Sequence, residues 1–164
     1  MKTWTQKLQG AEFRITRLQE TPAPNAQGTV DTPEACNQYL REQLAQSIHF
    51  NPDVENFIVI LLNTRRRPLG MSILSQGLLD TLLVHPRETF RAAIVMNAAA
   101  VVIAHNHPSG ESTPSEADIK VTRDLIRAGQ LLKIEVLDHI VLGQASDINP
   151  KSFSSLRELG YFYA

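Results

Sequence analysis

The chain carries one cysteine, Cys36, in 164 residues. That excludes an internal disulfide and any cysteine-rich zinc module, and a lone thiol is the usage expected in a reducing compartment. A charge excess is also missing: sixteen Lys and Arg stand against seventeen Asp and Glu, a formal net charge of −1. Proteins that coat a nucleic-acid duplex show a clear basic excess, so bulk electrostatics lends no support to that class. Long apolar runs are absent too. The longest, Phe57–Leu62 and Ala98–Ala104, fall far short of the roughly 20 residues a membrane span needs. The charged start, Met1–Lys7, has no apolar stretch behind it, so no secretory signal is expected. The default reading is a soluble cytoplasmic protein.

What is present is globular in composition: 43% hydrophobic and 20% charged residues, enough to bury one core without staples. Residues 1–30 read as an N-terminal arm and connector, and residues 31–164 as the folded domain. Glu12–Leu18 alternates polar and apolar residues, as a strand with one wet face does. Thr21–Gly28, rich in proline, reads as a connector. Thr32 before Pro33 is a helix start, and Tyr39, Leu40, Leu44 and Ile48 extend that helix to about residue 48. Phe57–Leu62 is a strand covered on both faces. Asn63–Pro68 is a turn, and Leu69–Leu74 returns as the second arm of a hairpin. A helix runs from Pro86 to about Asn97, a buried strand follows over Ala98–Ala104, and His105–Gly110 is read as a loop. Thr113–Glu116 has the T-x-x-E capping-box pattern, with the helix ending at Gly129. Ile134–Leu142 is a strand and Ser152–Leu159 a short last helix. Strands interleaved with helices plus one hairpin give an α/β domain with a mixed β-sheet flanked by helices.

The chemistry concentrates in one stretch. His105 and His107 are two of five histidines, and in extended backbone residues i and i+2 point to the same side. Ser115 and Asp118, three apart at a helix start, share a face. The intervening loop carries Gly110 and two prolines and can fold that helix start back towards the imidazoles. Two histidines and a carboxylate leave a tetrahedral position for water, the arrangement of catalytic zinc. Water held this way titrates at around pH 7 and needs a base. Glu55, just before the strand Phe57–Leu62, is the candidate, and Ser115 is free to donate to a developing oxyanion. Taken alone, Ser115 and Asp118 would equally suit a helix cap, and Glu55 a solvated charge.

Glu55, His105-x-His107-Pro108 and Ser115-x-x-Asp118 together resemble the JAMM (MPN-plus) metalloprotease signature. The flanking text is similar to the RadC-like branch of that family: Val84-His85-Pro86-Arg87-Glu88, Asn97-Ala98-Ala99-Ala100, Ala104–Gly110, Thr113–Asp118 and Leu137-Asp138-His139-Ile140. The resemblance covers roughly Asp31 to Tyr163. It implies a JAMM/MPN architecture of the cytidine-deaminase-like kind and a zinc-dependent hydrolase acting on peptide or isopeptide bonds. One Zn2+ per chain would be held by His105, His107 and Asp118, with Glu55 as acid/base and Ser115 as oxyanion donor. The implied partner is a peptide or protein substrate. Longer RadC-like proteins carry a helix-hairpin-helix segment suited to DNA, which residues 1–30 are too short to supply. The alternatives are a DNA-associated accessory protein and a scaffold that keeps the metal for stability.

The remaining residues have plainer readings. His139, in an apolar strand, is expected to be a core histidine bonded to a backbone carbonyl, with a role behind the metal ligands as the minority reading. His85 opens a helix, His49 follows a helix end, and Cys36 packs. Arg65-Arg66-Arg67 is read as a solvated hairpin turn. The letters His105-Asn106-His107 are not the dispersed nuclease motif of that spelling, and the single cysteine excludes a zinc deaminase.

Overall fold

The computed structural model describes the backbone of residues 3–8 and 11–16, and residues 28–77, 84–145 and 150–162. Strands β1 (Thr3–Leu8) and β2 (Ala11–Thr16) pair antiparallel. The connector read at Thr21–Gly28 lies, but for Gly28, outside the described residues.

The rest of the chain is built on a five-stranded mixed sheet. Its strands are β3 (Asn56–Leu62), β4 (Pro68–Gln76), β5 (Ala100–Asn106), β6 (Glu135–Leu142) and β7 (Phe153–Ser155), in the order β4-β3-β5-β6-β7. Only β5 and β6 run parallel. They are joined by helix α3 (Glu116–Leu132) in a crossover, as parallel neighbours require. Strand β3 is buried along its whole length because both sheet faces are covered. Ile58, Ile60 and Leu62 point towards helix α1 (Pro33–Gln46) and pack with Cys36, Leu40 and Leu44. Phe57, Val59 and Leu61 point the other way, to a core shared with Phe90 and Ala93 of helix α2 (Pro86–Val95) and Leu125 of α3. Leu40, fully buried, is the kind of side chain whose burial contributes about 1.5–3 kcal/mol.

The helix starts follow the cap chemistry. Thr32 Oγ1 accepts from Ala35 N at 3.2 Å with Pro33 at the first position. His85 caps α2 through Nδ1, which accepts from Arg87 N at 3.1 Å.

Four expectations are corrected. The box that opens α3 is Ser115/Asp118 rather than Thr113/Glu116. Gly129 does not end α3: the helix continues to Leu132 and closes on Lys133 in the left-handed conformation. A Cβ at Gly129 would meet the Ile134 carbonyl oxygen at 2.5 Å, so this glycine permits close packing inside the helix instead of stopping it. The short last helix is strand β7, because Phe153 is buried opposite Leu142 and the segment completes the sheet edge. Finally, the strand read as Ala98–Ala104 starts at Ala100 and continues through His105 and Asn106. Among the described residues no helix is long and apolar enough to cross a membrane.

Candidate metal centre

The crossover places the C-terminal end of β5 against the N-terminus of α3. His105 is delivered by β5 itself. His107 follows directly, its backbone N–H held by the Leu142 carbonyl at 3.0 Å. Their ring nitrogens face each other: His105 Nε2 lies 2.9 Å from His107 Nε2. Asp118 reaches in from the first turn of α3, with Oδ1 3.3 Å from His105 Nε2 and Oδ2 3.8 Å from His107 Nε2. These three side chains form a group that could hold a metal ion. The side-chain exposure is 0% for His105, 9% for Asp118 and 16% for His107, so the group opens to solvent on the His107 side.

The donor chemistry fits a cation. His107 Nδ1 lies 2.6 Å from the Glu111 carbonyl oxygen. A carbonyl only accepts, so Nδ1 carries the ring proton and Nε2 of the neutral ring is a bare lone pair. With one ligand atom taken from each residue, all lie within 4.8 Å of one another, and the 2.9 Å between the two Nε2 atoms and 3.3 Å from His105 Nε2 to Asp118 Oδ1 are close to the edge of roughly 3.3 Å expected between tetrahedral ligands with bonds of about 2.0–2.1 Å.

The electrostatics agree. Burial pushes the Asp118 carboxyl up, yet contacts from His105, His107 and Ser115 outweigh it and hold that carboxyl well below the usual carboxylate range. The Asp118 carboxylate, which accepts from the protonated ring, in turn raises the His107 imidazole against the opposing effect of burial. The positive end of α3 adds to the stabilisation of the Asp118 charge.

Ser115 is the cap of α3. Its hydroxyl donates to Asp118 Oδ2 at 2.6 Å and accepts from Asp118 N at 3.2 Å, while Ser115 N donates to the same Oδ2 at 2.7 Å. The structure therefore brings Ser115 to the metal group through Asp118. Glu55 precedes β3, where Phe57 pairs with His105. The pairing ends there, two residues after Glu55, and the Glu55 charge is among the contributions that raise the His107 imidazole.

Two buried contributions differ from the leading sequence reading. His139 does not serve a backbone carbonyl. Its Nε2 lies 2.8 Å from His105 Nδ1, and its Nδ1 lies 2.6 Å from Thr122 Oγ1. The minority reading of His139 is the one its geometry matches, because parallel pairing of β5 and β6 places it beside Ile103, two residues before His105. Burial lowers its imidazole well below the ordinary value and keeps the ring neutral. Asn106, between the two histidines, turns to the α1 side and bonds Asn56 and the Val54 carbonyl. Arg66 of the basic turn pairs with Glu135 at 2.8 Å.

A groove of about 310 Å³ adjoins His107 on the α1 side, walled by Leu44, Phe50, Pro52, Pro108 and Leu142.

Residues 30–161 match the family described as RadC-like JAB domain. The chain is similar to a UPF0758 protein of Symbiobacterium thermophilum, 41% identical over 143 residues, covering 87% of this chain and 56% of the relative. A UPF0758 protein of Caldanaerobacter subterraneus subsp. tengcongensis is 44% identical over 134 residues, 82% of this chain and 53% of the relative. One from Moorella thermoacetica is 49% identical over 106 residues, 65% of this chain and 44% of the relative. The chain thus spans about half the length of the curated relatives it matches.

Proposed function

The chain belongs to the RadC-like JAB-domain family, and we propose that it is a zinc-dependent hydrolase of peptide, isopeptide or related amide bonds. One observation carries the reading: the convergence of His105 Nε2, His107 Nε2 and the Asp118 carboxylate in a group whose His107 reaches solvent. These three side chains would hold one zinc ion per chain. When bound, zinc supplies Lewis acidity, acidifying a coordinated water and polarising the substrate carbonyl.

The other roles are assigned to Glu55 and Ser115. Glu55, whose charge acts on the His107 imidazole, takes a proton from the attacking water at its carboxylate and returns it to the leaving amine. Ser115 donates a hydrogen bond from its hydroxyl to the carbonyl oxygen as charge develops there. That hydroxyl now points at Asp118 Oδ2, so in this role it rotates towards the substrate. Asp118 keeps its N–H contact from Ser115 meanwhile.

The test is a cleavage screen of peptide and isopeptide libraries with the zinc-loaded chain, using Glu55→Gln as control. Cleavage by the parent, lost in Glu55→Gln while zinc stays bound, supports the reading. Equal cleavage by both removes Glu55 from its role. No cleavage by a fully zinc-loaded parent overturns amide hydrolysis.

A further inference from the structure

His105 is fully buried, so each ring nitrogen must find its partner inside the protein. Nε2 faces the metal group. Nδ1 meets a second imidazole, His139 Nε2, at 2.8 Å. A pair of neutral imidazoles does not define its own direction, since either ring can donate. The direction is set further back. Thr122 Oγ1 lies 2.6 Å from His139 Nδ1 and 2.6 Å from the main-chain carbonyl oxygen of Asp118. All three residues are buried, with Thr122 at 0% and His139 at 1% exposure, so water does not compete.

A carbonyl has no proton to give. The single hydroxyl proton of Thr122 therefore goes to Asp118, and Thr122 Oγ1 can only accept from His139. His139 Nδ1 then carries its ring proton. A neutral imidazole has one, so His139 Nε2 is bare and accepts from His105 Nδ1–H. His105 Nε2 is left as a lone pair beside His107 Nε2 and Asp118 Oδ1.

We propose that Thr122 and His139 form a one-way hydrogen-bond chain, anchored on the Asp118 carbonyl, that locks His105 in its Nδ1–H tautomer and presents Nε2 to a divalent cation. Both are positioning residues. The chain begins and ends on Asp118: its carbonyl sets the direction and its carboxylate meets the nitrogen that results. One turn of α3 thus supplies one side chain of the metal group and orients another. The cation half rests on the metal reading above; the tautomer half stands without it.

The experiment is long-range 1H–15N NMR of the 15N-labelled, chelator-treated chain, which reads the tautomer of each histidine, followed by zinc titration. His105 and His139 are both expected as Nδ1–H. Thr122→Val keeps the shape and removes the hydroxyl. It is expected to turn both rings to Nε2–H and to weaken zinc binding about 10–100-fold, the usual cost of losing a partner behind a ligand. Thr122→Ser, which restores the hydroxyl, is expected to recover the parent behaviour. A parent His105 in the Nε2–H form overturns the proposal, and so does a folded Thr122→Val chain with parent tautomers and parent affinity. Parent tautomers as expected in a chain that binds no zinc support the proton chain and overturn the metal reading.

Discussion

Asn106 Oδ1 accepts from both the main-chain N–H and the side-chain amide of Asn56, at 2.9 and 2.8 Å. Its own amide donates to the Val54 carbonyl at 2.9 Å. A side chain rooted between His105 and His107 thus clasps the residues on both sides of Glu55. Asn56 is fully buried; its side-chain amide also donates to the Asn51 and Val54 carbonyls, so removing Asn106 strands the Asn56 main-chain N–H, at about 1–3 kcal/mol. Asn106→Ala is expected to lose roughly 1–3 kcal/mol of stability while keeping near-parent zinc content. Any Glu55-dependent turnover should fall more than zinc affinity. Denaturant unfolding and metal analysis check this. A variant of parent stability would show that the clasp contributes nothing.

Asp138 is a buried carboxyl with three donors: His139 N at 2.7 Å, Arg157 N at 3.2 Å and Ser155 Oγ at 2.7 Å. Burial nevertheless prevails over these contacts and raises it above the ordinary value of 3.8. Between 3.8 and that raised value the folded chain binds more protons than the unfolded one. Stability from this group therefore falls as pH rises through the window and levels off above it. Asp138→Asn has no such proton and can keep the three contacts, donating to Ser155 Oγ in place of accepting. Its Tm relative to the parent is expected to climb as pH rises above about 4 and then to level off. A flat or declining difference would contradict the assignment.

Cys36 is 2% exposed, with its thiol 3.7 Å from the Val30 carbonyl. Burial, aided by the nearby charges of Asp138, Asp31 and Glu34, pushes it up to about 12. Only the thiolate reacts readily, so labelling by a disulfide reagent at neutral pH should be negligible in the native chain and complete in denaturant. Rapid labelling of the folded protein would show that the α1 side opens.

The hydrophobic pattern made the architecture legible. The continuous apolar run at Phe57–Leu62 announced a strand covered on both faces, and Thr32-Pro33 and His85-Pro86 marked real helix starts. The spacing of His105 and His107 announced their convergence. What pattern reading misses is tertiary. Ser152–Leu159 resembles a helix locally, but only the exposed edge of β6 explains why Phe153–Ser155 pairs there. Gly129 looks like a stop until the Ile134 carbonyl beside it is seen. His139 looks like core because it is core; its service to His105 depends on strand adjacency across 34 residues of sequence. Thr122 lies three residues from both Ile119 and Leu125, a spacing that marks only the packed face of a helix.

The most direct measurement is metal content. Purified in the presence of zinc and dialysed against metal-free buffer, the chain is expected to retain close to one zinc per molecule, and His107→Ala to retain almost none. A parent without bound zinc, or a His107→Ala chain that holds it fully, would contradict the centre on which the account is built.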